Sequence, residues 1–235
     1  MRYVVGLGND LKALAGNLCG LHRFPRNCLT HAAGTRHNVG ADALVHIAQA
    51  ASLQWTNMRN ISCYAAVRPP TPPLFPVFDF LVTSWHVDDA LQITYLRPKC
   101  AMNNSGKPVR EALQHFRAAA ADCLVVHDDL ERAVGKVSAK HGGGAAGHNG
   151  IRSLAQCLAT DSFPRVRVGI GRPADRSQVA SFVLESFAAD EAETLRTTCV
   201  FLRLSRHMLS PPFPAHSIDS VSDLLLKSFA SFNCM

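Results

Sequence analysis

No apolar run in this 235-residue chain is long enough to cross a bilayer, which excludes a helical membrane protein. None of its eight cysteines forms C-x-x-C or stands at zinc spacing from histidines, so no metal site is expected and the thiols are read as reduced. The residues "RYVVGLG" begin at once and leave no room for a signal or transit peptide. That predicts a cytoplasmic protein, with a mitochondrial location left open. There is no G-x-S-x-G elbow, no H-E-x-x-H and no catalytic-cysteine context. Charged residues make up only 18% of the chain against 47% apolar ones, a balance that excludes disorder and predicts a packed core.

The charge that is present is lopsided. A net +6 favours a polyanionic partner such as nucleic acid. β-rich runs recur at 2–7, 92–97, 123–127, 137–140 and 165–170. Helical stripes lie between them: Val45, Ala48 and Leu53; Val109, Ala112, Leu113 and Phe116 after Pro108; and Ile151, Leu154, Ala155 and Leu158. The alternation predicts one α/β domain over residues 1–235, with a twisted mixed sheet flanked by helices in three layers. Irregular insertions are expected near 10–33, 69–85 and 197–216. The second of these opens "PPTPPLFPVFDF", whose prolines forbid a central strand.

Gly142, Gly144 and Gly147 in "KHGGGAAGHNG" satisfy the dinucleotide pattern G-x-G-x-x-G. That fingerprint needs an acid at the end of the next strand, and Asp161 precedes its strand instead. In the earlier "VVGLGNDL", Leu11 occupies the third glycine position, and no Lys-Ser/Thr follows either loop. No nucleotide cofactor is expected. The tail "GHNG" admits two readings: glycines and a helix start that let a ligand approach, or a left-handed turn capped by Asn149.

Polar side chains recur at strand ends. "VVGLGN" delivers Asn9, "GTRHNVG" places His37 before a helix, "LRPKCAMNNSG" delivers Met102 and Asn103, and "LVVHDDLE" ends in Asp128 and Asp129. Active sites of open α/β sheets lie at such ends, so a histidine, a carboxylate and several amides can share one crevice. With "AKHGGGAAGHNGIRS" and "FPRVRVGIGRP" in the same order, the set resembles the bacterial-type peptidyl-tRNA hydrolases over roughly two-thirds of the chain.

The resemblance implies hydrolysis of the ester between peptide and tRNA, without metal, cofactor or covalent intermediate, by a monomer that recycles tRNA. His37 would be the general base, Asp128 would orient it, and Asn9 would complete the catalytic set. Asn103, Asn149, Met102 and His148 would contact substrate, and Lys140 and Arg167 would hold a tRNA phosphate. The chain also departs from the family. A long segment separates Asn9 from Thr35 where the family has a short turn, and Ala101 stands where an aromatic residue often precedes the methionine. Those departures leave open a second reading, a catalytically impaired tRNA- or RNA-binding protein of the same fold.

Overall fold

The computed structural model describes residues 2–10, 34–50, 53–58, 61–67 and 93–204. Among these residues seven strands form one sheet: β1 Arg2–Gly6, β2 Gln54–Asn57, β3 Cys63–Val67, β4 Ile93–Pro98, β5 Cys123–Asp129, β6 Val137–His141 and β7 Pro164–Gly169, in the order β2-β3-β4-β1-β5-β7-β6. The inner strands β4, β1, β5 and β7 are parallel, while β2, β3 and β6 run antiparallel to their neighbours. β4 and β5 read as near-continuous apolar runs because both their faces are covered.

The helices are α1 Val39–Ala50, α2 Gly106–His115, α3 Asn149–Leu158, the short α4 Val179–Phe182 and α5 Ala189–Leu204. One core joins Leu44 and Ile47 of α1 and Leu195 of α5 to Val4, Leu124, Val126, Val166 and Val168 of the sheet. The other joins Val109 and Leu113 of α2, with Ile151 and Leu154 of α3, to Tyr3, Val5, Leu96 and Val125. Tyr3 and Val5 on one face and Val4 on the other show the two-residue period of a strand buried on both sides. The result is the expected three-layer α/β arrangement with a mixed sheet. No helix among the described residues is long and apolar enough to cross a membrane.

Strands β2 and β3 go beyond the sequence expectation. β2 is an edge strand with three of its four residues exposed, and β3 reads Cys-Tyr-Ala-Ala-Val, too rich in small residues to announce itself. At the other end, residues 197–204 of the segment expected to be irregular are helical, because α5 runs to Leu204. Residues 11–33, 69–85 and 205–216 of the expected insertions lie outside the described residues.

The topology places the site. β1 lies between β4 and β5, and the chain crosses over it from β4 to β5, so the carboxyl ends of these three strands flank a switch point. The start of α1 lies hard against it. A Cβ at Gly40 would collide with the Val126 carbonyl oxygen and come within 2.9 Å of that of Leu7. Only glycine allows so close an approach, and it brings His37, three residues earlier, over the end of β5.

Candidate active site

His37 sits in a turn of 3-10 helix, Arg36–Asn38, immediately before α1. Its Nδ1 lies 3.0 and 2.9 Å from the two carboxylate oxygens of Asp128, the sixth residue of β5. Asp128 is almost completely buried, with 3% of its side chain exposed against 12% for His37. A second imidazole reaches the same carboxylate: His148 Nε2 is 2.8 Å from Asp128 Oδ1. Burial works against charge on Asp128, but the charges and hydrogen bonds of His148 and His37 outweigh it. They hold its carboxyl well below the usual carboxylate range.

The pairing fixes which nitrogen does what. With Nδ1 committed to the carboxylate, Nε2 is the His37 nitrogen left to take a proton. His148 is locked at both ends, because its Nδ1 accepts the Ile151 N–H at 3.2 Å and its Nε2 serves Asp128. It is the N-cap of α3, so the cap expected at Asn149 falls one residue earlier. The rings of His37 and His148 stand 5.0 Å apart. Ligand atoms of His37, Asp128 and His148 lie within 4.8 Å of one another and could reach one cation. The N···O separations of 2.8–3.0 Å are nevertheless those of shared protons.

Asn9 follows β1 and is tied on two sides. Its backbone N–H donates to Asn38 Oδ1 at 2.6 Å, and its own Oδ1 accepts the Met102 N–H at 2.8 Å. The long segment before Thr35 therefore leaves Asn9 beside the residue that follows His37. Of its side chain, these bonds leave the Nδ2 donors uncommitted. Met102 is buried, and its turn, Met102–Asn104, packs against α3. Asn103 and Asn149 are exposed, the first in that turn and the second at the first position of α3.

The basic residues divide by role. Lys140 lies near the end of β6, and Arg167 on β7 reaches Asp129 Oδ2 at 3.4 Å, an oxygen that Arg132 approaches at 3.3 Å. Burial, with Arg132 nearby, lowers Arg167 from its ordinary value. Arg165 turns to the glycine loop. It donates to the carbonyls of Gly143 at 2.6 Å, Gly144 at 3.1 Å and Asp161 at 3.1 Å, and stacks on Phe163 at 4.5 Å. Gly142, Gly143, Ala146 and Gly147 all take positive φ to make this curl. A pyrophosphate cradle needs inward N–H groups, whereas here carbonyls turn inward to a guanidinium.

Sequence reasoning passed over Asn38, His127, Arg36 and Arg165. His127 is fully buried, and burial, with His148 facing it, pulls it down to about 3. It stays neutral, its Nδ1 is 2.7 Å from the Asp128 carbonyl oxygen, and its ring meets His148 edge-on at 4.7 Å. Asn38 and Arg36 flank His37 in the quoted "TRHN", so adjacency was the available signal.

The profile of the peptidyl-tRNA hydrolase family matches residues 27–206. A peptidyl-tRNA hydrolase of Mycobacterium ulcerans (strain Agy99) is 43% identical over 107 residues, 46% of this chain and 56% of that protein. One from Geobacter sp. (strain M21) is 47% identical over 106 residues, 45% of this chain and 56% of that protein. The chain thus aligns with little more than half the length of these relatives. A crystal structure of peptidyl-tRNA hydrolase from Acinetobacter baumannii shares the fold, with a TM-score of 0.67 and 21% identity over 100% of this chain and 95% of that one. This chain belongs to the peptidyl-tRNA hydrolase family.

Proposed function

We propose that this protein hydrolyses the ester bond joining a peptide to the terminal ribose of tRNA, releasing both for reuse. The observation that carries the reading is the pairing of His37 Nδ1 with a buried, ionised Asp128 at the carboxyl end of a central strand. His37 Nε2 takes a proton from water as the water attacks the ester carbonyl. Asp128 keeps the imidazole in the required tautomer and stabilises the charge that forms on it.

The tetrahedral intermediate carries an oxyanion. Asn9 Nδ2 is a candidate donor to it, since Asn9 Oδ1 is fixed on the Met102 N–H. Collapse of the intermediate expels the ribose oxygen, which recovers the proton from His37. Met102 supplies apolar wall for the peptide, and Asn103 and Asn149 supply polar contacts. His148, with both ring nitrogens engaged and 8% of its side chain exposed, supports the site from beneath rather than by a polar contact to substrate. Lys140 and Arg167 take a phosphate of the tRNA. The proposal describes one domain acting as a cytoplasmic monomer, with the continuous seven-stranded sheet in support of the single domain.

The test is release of the N-blocked amino acid from an N-blocked aminoacyl-tRNA, with the unblocked ester as control. Wild-type protein is expected to cleave the blocked ester selectively. His37→Ala is expected to lose about 10²–10⁴ in rate while retaining tRNA binding. Salt-sensitive RNA binding without turnover in the wild type would overturn the proposal, as would full turnover in His37→Ala.

A further inference from the structure

The turn that carries His37 has no cap of its own: Thr35 precedes it without a side-chain hydrogen bond to the turn. What holds it comes from the far end of the described chain. The Arg36 backbone N–H donates to the Glu185 carbonyl at 2.9 Å, and that of His37 to the Val183 carbonyl at 2.8 Å. Thr35 bridges Ser186, and the Phe187 N–H donates to the Gly34 carbonyl at 3.3 Å. Residues 34–37 therefore lie clamped along residues 183–187.

Arg36 rivets this clamp. Its guanidinium stacks on the rings of Phe182 at 4.2 Å and Phe187 at 4.8 Å. Nη1 donates to the Ile170 carbonyl at 2.9 Å and to Glu191 Oε1 at 3.1 Å, and Nη2 donates to Glu191 Oε2 at 2.7 Å. Glu191 is in the first turn of α5, where the helix dipole favours an acid, and its Oε2 also accepts the Ala188 N–H at 2.9 Å. One carboxylate thus caps the helix and fixes the arginine. Its hydrogen bonds to Arg36 hold it below its ordinary value.

We propose that Arg36 and Glu191 are positioning residues for His37, fixing the imidazole against Asp128 from the C-terminal segment. The inference rests on the reading of His37 as the base. Neither residue belongs to the strand that carries Asp128, so the His37–Asp128 distance depends on how well the clamp registers one element against another. A misplacement of about 1 Å is enough to cost roughly 10²-fold in rate.

Glu191→Ala, Glu191→Gln and Arg36→Lys test the proposal through three readouts: kcat and KM on N-blocked aminoacyl-tRNA, thermal melting, and the downfield proton resonance of the His37 Nδ1–H bonded to Asp128. Glu191→Ala is expected to lower kcat about tenfold with KM within about twofold, and to broaden or shift the N–H resonance. Glu191→Gln keeps an acceptor and is expected to lose about threefold. Arg36→Lys should behave like Glu191→Ala, because one ammonium cannot serve a bidentate carboxylate and the Ile170 carbonyl together. A folded Glu191→Ala with unchanged kcat and an unchanged resonance overturns the proposal, and so does a kcat loss with the resonance unmoved. Should Glu191→Ala fail to melt cooperatively, unchanged kcat and resonance in Glu191→Gln are decisive in the same direction. If the wild type shows no turnover, the hydrolase reading fails, and the resonance alone then decides whether the clamp positions His37.

Discussion

His148 Nε2 stands 2.8 Å from Asp128 Oδ1 while the opposite nitrogen of the same ring accepts the Ile151 N–H. The imidazole is thus a strut between the start of α3 and the end of β5. Its two contacts call for different chemistry, an acceptor at the near end of the side chain and a donor at the far end. A rotated Asp128 would no longer face His37 squarely, so the strut constrains the base indirectly.

Two variants separate those contacts. An asparagine in place of His148 can still accept the Ile151 N–H but cannot reach Asp128, whereas a glutamine can donate to Asp128 and caps poorly. His148→Asn should therefore retain stability and lose kcat by about 10- to 100-fold. His148→Gln should retain more activity and lose about 1 kcal/mol of stability. Urea unfolding and single-turnover hydrolysis measure the two effects, and equal ranking of the variants in both would remove the strut argument.

Gly150→Ala is a one-carbon probe of the peptide wall. The added Cβ would meet Met102 Sδ at 2.5 Å, His148 Cε1 at 3.0 Å and Leu7 Cδ1 at 3.1 Å. Alanine favours helix over glycine by about 1 kcal/mol, so α3 itself gains. The buried thioether must move, and the wall proposed for the peptide moves with it. KM for N-blocked aminoacyl-tRNA is expected to rise about 3- to 10-fold with little change in melting temperature. An unchanged KM would show that Met102 does not line the substrate site.

What the sequence made legible, and what it hid, follows from contact range. The apolar runs of β1, β4 and β5 announce themselves because each is buried on both faces, and β7 shows itself by Val166 and Val168 alternating with arginines. Strand ends then locate Asp128, Asn9 and Met102, with His37 at a helix start. The glycine stretch misled because its fingerprint is local, while its shape is set by Arg165, about twenty residues further along the chain. Arg36 was hidden for the same reason. Its partner Glu191 is 155 residues away, and no periodicity in either segment points to the other. Adjacency in "TRHN" marks Arg36 and Asn38 as neighbours of the base without saying what they hold.

Asp42 gives the stability a pH dependence opposite in sign to that of Asp128. Burial pushes the Asp42 carboxyl up to about 6, against the Gly34 N–H it accepts at 2.9 Å and the charge of Arg97. Between roughly pH 4 and 6 the folded protein keeps a proton that the unfolded chain has released. Stability from this group therefore falls as pH rises through that window, and the loss is complete above it. Asp128, whose carboxyl is depressed, contributes stability above the unfolded carboxylate range and loses it only as pH falls. Asp42→Asn keeps an acceptor for Gly34 and should gain on the order of 1–2 kcal/mol over wild type near pH 8, with no gain near pH 4. Equal urea midpoints for the two proteins at about pH 8 would contradict this assignment.

Lys140 and Arg167 are expected to act through charge, and salt separates them. A side chain that neutralises a phosphate releases condensed counterions, so its loss flattens the plot of log affinity against log salt by about one unit. Arg167 already faces Asp129 Oδ2 at 3.4 Å and shares that oxygen with Arg132, so part of its charge is spent before tRNA arrives. Lys140 has no carboxylate partner among the described residues. Lys140→Ala should therefore flatten the slope by about one unit for deacylated tRNA, and Arg167→Ala by less than that. Asp129→Asn frees the guanidinium and should steepen it. Filter binding of deacylated tRNA over a salt series measures all three variants. Slopes parallel to the wild type in Lys140→Ala would show that its ammonium stays solvated in the complex and holds no phosphate.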